Sequence, residues 1–162
     1  MAGANRPEVL AYLALGANLG DALASLQSAV QRIAALPGTR LMARSSLYRT
    51  APIASSGPDY LNAVVAVVTR LNAPELLARL QHIETQAGRE RPYRNAPRTL
   101  DLDVLLYGDA SISSAALRIP HPRMNQRAFV LVPLAEIAPG LVGPAQSQVV
   151  ASQVIERLVQ VW

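Results

Sequence analysis

The order in which apolar periodicity changes along the chain limits its fold more than any other feature. Val9 to Gly16 (VLAYLALG) is an apolar run of strand length, and the turn residues of GANLGD lead to Asp21, a residue suited to cap a helix. From Ala22 to Leu36 the residues Leu23, Leu26, Val30 and Ile33 recur three and four apart, the helical period, until Pro37-Gly38 ends the run. Arg40 to Thr50 predicts a second strand, Ala51 to Asp59 a loop rich in Pro, Ser and Gly, and the β-branched run Tyr60 to Leu71 a third strand. Asn72 then caps a helix reaching Gly88, with Pro74 in its first turn and Leu76, Leu77, Leu80, Ile83 and Ala87 at helical spacing. Thr99 to Tyr107 is a fourth strand. The Gly16–Gly20 spacing, in a chain without lysine, predicts ordinary turn geometry more than a phosphate cradle.

That order, β-α-β-β-α-β, is the split βαβ arrangement of ferredoxin-like domains, an α+β fold whose helices pack on one face of an antiparallel sheet. At 162 residues the chain fits one domain with a sizeable core, and it contains no internal repeat or linker. Ser111 to Trp162 extends the core with a proline-rich stretch and a predicted helix from about Ser147 to Val159. Met1 to Glu8 is a polar lead-in. No basic segment leads into a long apolar run, so a soluble, cytoplasmic protein is expected; a monomer is expected as the default for one domain of this size.

Composition removes several kinds of chemistry. All 15 basic residues are arginines, which excludes lysine Schiff bases and any P-loop lysine, and the absence of cysteine excludes thiolate catalysis, zinc–thiolate sites and disulfides. His82 and His121 are too few for a histidine-rich metal site. Hydrophobic residues make up 51% and charged residues only 16%, so the charge is concentrated somewhere, and the net +4 suits an anionic ligand more than a long nucleic-acid track.

The charge concentrates in Arg89 to Gly108 (RERPYRNAPRTLDLDVLLYG). A loop bearing Arg89, Arg91, Arg94 and Arg98 runs into a strand interrupted by Asp101 and Asp103. Residues two apart on a strand share a face, so the two carboxylates project together while Leu100, Leu102 and Val104 face the other way. Like charges so placed need a cation or a shared proton, and Mg²⁺ held by one or two carboxylates plus phosphate oxygens is the usual answer. Guanidinium forks beside it match a polyphosphate. The alternative is a solvated acidic strand beside an exposed basic loop.

The run Arg94-Asn-Ala-Pro-Arg98-Thr-Leu-Asp101-Leu-Asp103-Val-Leu closely resembles the signature of the 6-hydroxymethyl-7,8-dihydropterin pyrophosphokinases of folate synthesis. AYLALGANLGD, SSLYRTAPI, PDYLNAVV, the Ile83 to Arg91 block and IPHPRMNQRAFVLVPLAEIAP resemble that family in the same order. The resemblance implies transfer of the pyrophosphoryl group of ATP to the pterin hydroxymethyl oxygen, with release of AMP. It implies that Asp101 and Asp103 bind two Mg²⁺ ions, that Arg89 and Arg98 are catalytic, and that Arg91 and Arg94 belong to the same mobile loop. Gln81, Glu84, Val104, His121 and Arg127 would line the nucleotide site with those arginines. Thr50, Ile53, Tyr60, Asn62, Asp101 and Phe129 would meet the pterin, a flat heterocycle that needs stacking faces and paired donors and acceptors.

Taken alone, Tyr60 and Phe129 would read as core and Asn62 as a strand-end group bonded to backbone. His82 has no matching role and reads as a helix-surface residue. Pro92, Asn95, Ala116 and Pro122 depart from some relatives, at positions that bear on the loop and the nucleotide contacts. Arg89 to Pro97, crowded with like charge, is expected to be a lid that closes on substrate. Two rival classes are weaker. A ferredoxin-like nucleic-acid module would need aromatic side chains on its strands, and aromatics total 4%; a two-metal hydrolase would need further ligands and a general base.

Overall fold

The computed structural model describes residues 6–18, 20–51, 58–89 and 100–162. Its first strand, β1 (Val9–Ala17), is followed by α1 (Ala22–Ala34), β2 (Thr39–Arg44), β3 (Tyr48–Thr50), β4 (Tyr60–Thr69), α2 (Ala73–Arg89) and β5 (Leu100–Tyr107). The predicted order is therefore present. Asp21 caps α1, its side chain accepting from the Ala24 N–H at 3.0 Å. Asn72 and Glu75 begin α2 as a reciprocal box: the Glu75 N–H donates to Asn72 Oδ1 at 2.8 Å and the Asn72 N–H to Glu75 Oε1 at 3.3 Å.

The predicted second strand is two strands. Arg44 pairs with Val65 but Tyr48 with Asn62, so the chain takes four steps where β4 takes three. The surplus residue falls at Ser45–Leu47, where the Ser45 hydroxyl accepts from the Val64 N–H at 3.0 Å and stands in for a ladder carbonyl.

Among the described residues, six strands make one antiparallel sheet in the order β5-β1-β4-β3, continued by β8 (Glu156–Arg157), with β2 also on β4. Its two faces differ. Leu13, Leu15, Ala63, Val65, Val67, Leu100, Leu102 and Val104 meet Leu26, Val30 and Ile33 of α1 and Leu76, Leu80 and Ile83 of α2 in the main core. The other face carries a smaller cluster in which Ala14, Val64 and Leu105 meet Met124, Val130 and Leu134. The last two belong to α3 (Ala128–Ile137), a helix not predicted because its sequence is apolar all round and contains Pro133. That composition fits its place, since α3 packs on the sheet through one side and on Val150 of α4 (Pro144–Val150) through another. Before it, β6 (Ile112–Ser113) and β7 (Arg118–Ile119) form a small hairpin.

The helix expected over Ser147 to Val159 is present only as far as Val150, where α4 ends. The chain leaves α4 at Val150 and returns along the sheet edge as β8, with Arg157 opposite Tyr48 and the Leu158 N–H donating to Leu47 C=O at 2.9 Å. Trp162 ends this segment buried, its indole N–H donating to Ser45 C=O at 2.9 Å under the Arg44 guanidinium. Glu136, near the end of α3, ties these parts together. It accepts from the Tyr48 hydroxyl at 2.7 Å, from Ser46 N–H and hydroxyl at 2.9 and 2.8 Å, and pairs with Arg157 at 3.3 Å. Burial alone would raise this carboxyl, but the bonds from Tyr48 and Ser46 and the charge of Arg157 outweigh it and hold it below the usual range. The Tyr48 phenol, desolvated and bonded to that carboxylate, is pushed up to about 12. No helix among the described residues is long and apolar enough to cross a membrane.

Candidate active site

The acidic pair lies on β5, an outer strand of the sheet, on the face opposite α1 and α2. Leu100, Leu102 and Val104 point into the main core, while Asp101 is exposed and Asp103 half-buried on the other side, as the period of two requires. The residues beside them follow from register. Asp101 is level with Gly16 of β1 and Gly16 with Asn62 of β4; Asp103 is level with Ala14 and then Val64. Residues in such a row share a face.

Gly16 sits inside β1 and not in the turn expected of it. A Cβ there would lie 3.3 Å from Asn62 Oδ1 and 3.9 Å from Tyr60 Cδ1. Between the Asp101 carboxylate and the Asn62 amide the sheet therefore presents bare backbone, a strip a flat ring can lie against. The sequence signal for it was glycine within a strand, which often marks close approach to the backbone.

Asn62 is 4% exposed and its Nδ2 donates to Thr50 Oγ1 at 2.8 Å, while Thr50 pairs with Tyr60 across the strands. The bond fixes which edge of the amide is free: Oδ1 is turned toward Gly16. Phe129, half-buried near the start of α3, packs on the cluster containing Ala14 and Val64, one row along from Gly16 and Asn62. Thr50, Tyr60, Asn62, Asp101 and Phe129 thus meet on one face. Ile53 lies outside the described residues.

Of the residues expected to line a nucleotide site, Glu84 and His121 bond to the β5 backbone. Glu84 on α2 accepts from the Leu102 N–H at 2.8 Å, which satisfies an edge donor between the two aspartates. Gln81 lies one turn earlier, exposed. On the same strand the His121 N–H donates to Leu105 C=O at 3.0 Å. The His121 ring accepts from the Arg123 N–H through Nδ1 at 3.2 Å, so a neutral ring carries its proton on Nε2.

Burial lowers the His121 pKa; the nearby Asp103 charge opposes this and Arg127 and Arg123 reinforce it. Asp103, Arg123 and Arg127 are therefore each within electrostatic reach of His121. The Arg127 guanidinium lies 5.3 Å from the centre of the Phe129 ring, so a residue expected at the nucleotide and one expected at the pterin adjoin there. Val104 is 3% exposed in the helix-side core, and any part it has is through its main chain. Arg89 closes α2; its side chain, together with Arg91, Arg94, Arg98 and the expected lid, lies outside the described residues. His82 is exposed on α2 and contacts Gln86, as a surface residue would.

Among the described residues no three His, Cys, Asp or Glu side chains cluster as a complete metal cage. Two carboxylates on one face are instead a partial set, suited to a hard divalent cation whose remaining positions go to water and phosphate oxygens. The site can hold a flat polar heterocycle and a polyanion side by side, with acids at their junction.

Comparison with known proteins leads to the same chemistry. A family model described as 7,8-dihydro-6-hydroxymethylpterin-pyrophosphokinase (HPPK) matches residues 12–139. The chain is 50% identical over 133 residues to the 2-amino-4-hydroxy-6-hydroxymethyldihydropteridine pyrophosphokinase of Methylorubrum extorquens, covering 82% of this chain and 84% of that protein. It is 45% identical over 153 residues to the protein of the same name from Haemophilus influenzae, covering 94% and 92%. Among solved structures, a Plasmodium falciparum HPPK-DHPS superposes with a TM-score of 0.68 at 15% identity, over 85% of this chain and 41% of that longer one, a likeness of fold. With the motif blocks in order, the ferredoxin-like sheet and the family match all in agreement, the chain belongs to the 7,8-dihydro-6-hydroxymethylpterin-pyrophosphokinase family.

Proposed function

We infer that this protein transfers the pyrophosphoryl group of ATP to 6-hydroxymethyl-7,8-dihydropterin, a step of folate synthesis. The observation that carries this reading is the row Asp101–Gly16–Asn62, which sets a carboxylate and a held amide on either side of bare backbone. The hydroxymethyl oxygen attacks the β-phosphorus of ATP, the bond from that phosphorus to the bridging oxygen of the α-phosphate breaks, and AMP leaves. The hydroxyl proton is lost in the same step. Atoms and charge then balance as pterin diphosphate, AMP and one proton.

The roles divide by chemistry. Asn62 Oδ1 accepts from a pterin N–H, and Tyr60 and Phe129 supply apolar faces for the ring. Thr50 holds the Asn62 amide. Asp101 and Asp103 would hold Mg²⁺, two ions in our reading, and bound there it would neutralise the triphosphate and help align the displacement. Asp101, beside the pterin strip, also lies where the attacking hydroxyl arrives. His121, its charged form disfavoured by burial, gives a neutral donor from Nε2 toward the nucleotide, and Arg127 a fixed positive charge. Arg89 and Arg98 are assigned to the charge that grows on the transferred group, with Arg91 and Arg94 assisting, because contacts that strengthen in the transition state raise kcat. Incubation with Mg-ATP and the hydroxymethyl pterin tests the reading: AMP and pterin diphosphate are expected. ADP would mark an ordinary kinase and free phosphate a hydrolase, and either would refute the assignment.

A further inference from the structure

Helix α3 carries a residue for each substrate at its start, yet it begins on a residue that does not cap it. Its N-cap position is Arg127, whose side chain makes no capping bond and lies instead over Phe129. Arginine is a poor N-cap, and the first N–H groups of a helix need acceptors. The missing acceptor comes from 25 residues away. Gln153, in the turn that follows α4, accepts from the Ala128 N–H through Oε1 at 2.8 Å and donates through Nε2 to Gln126 C=O at 2.8 Å. One amide thus grips the main chain on both sides of Arg127, as a neighbouring strand would.

The same C-terminal segment also holds the other end of the helix. Arg157 pairs with Glu136, seven residues beyond Phe129 and so on the same stripe of α3. Gln153 and Arg157 both lie beyond residue 139, where the family match ends.

We infer that Gln153 is a positioning residue for Arg127 and Phe129. By supplying the acceptor that an arginine side chain cannot, it lets Arg127 stand at the start of the helix, and by fixing the backbone of residues 126–128 it sets where the guanidinium and the Phe129 ring stand over the sheet. The inference rests on the reading of Arg127 as a nucleotide residue and Phe129 as a pterin residue. The clamp is near the surface, where water competes for both bonds, so the effect is moderate. Gln153→Leu should weaken binding of both a non-hydrolysable ATP analogue and the pterin about five- to tenfold, the size of one net hydrogen bond.

The measurement that separates positioning from bulk stability is a double-mutant cycle read by calorimetric titration of the whole chain. In an Arg127→Ala background, Gln153→Leu should cost the ATP analogue almost nothing further, because the residue it acts through is gone. Equal losses in both backgrounds, or losses below twofold in the parent, would overturn the inference. Gln153→Glu covers the case in which the leucine variant does not fold. It keeps the acceptor for Ala128 but sets a carboxylate oxygen against the Gln126 carbonyl, so it should fold like the parent and bind both the ATP analogue and the uncharged pterin about threefold more weakly, the pterin loss excluding simple charge repulsion; unchanged pterin affinity there overturns the inference equally. If Arg127→Ala alone leaves ATP-analogue binding unaltered, the nucleotide role of Arg127 has failed, and loss or retention of pterin affinity in Gln153→Leu then decides the clamp by itself.

Discussion

Replacing Gly16 by alanine separates binding from stability at one atom. The backbone at Gly16 is extended strand, so alanine adopts it freely, and in a strand interior the exchange favours folding by about 0.5–1 kcal/mol. Against this, the new methyl would stand 3.3 Å from Asn62 Oδ1, closer than ordinary contact, and Asn62 can yield only by straining the 2.8 Å bond to Thr50. Losing that bond costs about 1 kcal/mol. The two effects nearly cancel, and the melting temperature should stay within about 3 °C of the parent. Binding is another matter. The methyl fills the bare strip and turns the Oδ1 acceptor, so pterin affinity should fall about tenfold or more, one hydrogen bond plus the lost contact of a ring lifted off the sheet. An ATP analogue should bind as before. Calorimetric titration with each ligand, beside a thermal melt, gives all three values. Unaltered pterin affinity in a folded variant would show that the ring does not lie against β1, and the site would have to be redrawn.

Other substitutions test neighbouring parts. Asn62→Ala should weaken pterin binding about five- to tenfold in titration and leave the ATP analogue alone, whereas equal losses would make Asn62 purely structural. Asp103→Asn should abolish most AMP formation, and without divalent metal melt no lower than the parent, because it removes a metal ligand and a like charge beside Asp101 together. Glu84→Ala should instead lower thermal stability, since it strips the acceptor from the Leu102 N–H at the sheet edge, a loss of about 1–3 kcal/mol. Glu136 is held below its ordinary 4.5 when folded, so its bonds add stability above that pH and lose it as pH falls through the lowered value. Melting temperature should therefore drop less steeply between about pH 5 and pH 3 in Glu136→Gln than in the parent. In the same variant the Tyr48 phenol, followed by ultraviolet titration, should move only part of the way down from about 12, because burial is the larger cause of its shift.

The core of the fold was legible because its signals are local. The strands β1, β4 and β5 and the helices α1 and α2 announce themselves by period, and Asp21 and Asn72 by cap chemistry. The site was legible where strand alternation alone decides, as at Asp101 and Asp103. What could not be read depends on partners distant in sequence. The break at Ser45–Leu47 exists because β4 spends one residue fewer over the same span. Helix α3 has no apolar stripe because sheet and α4 cover it on separate sides, so periodicity is silent and Pro133 argues against it. Residues 147–159 read as helix, but beyond Val150 the β3 edge offers the chain backbone partners, an Arg49–Glu156 pair and a seat for Trp162. Tertiary pairing overrode propensity there.

The closing of that edge has a consequence for the order of opening. The Arg49–Glu156 pair joins positions 107 apart and the Trp162–Ser45 bond positions 117 apart. The segment that makes them is mostly exposed and buries few apolar side chains besides Trp162, so it should open at a lower free energy than the central sheet. When the segment lifts, β1, β4 and β5 keep their ladders while α3 loses the holds at both its ends. The protein would then retain nearly all its secondary structure while Arg127 and Phe129, at the start of α3, lose the bonds that fix them. Trp162 is the one tryptophan of the chain, and it leaves its seat beneath Arg44 in that same event. Its emission should therefore report release of this segment as an event separate from collapse of the sheet.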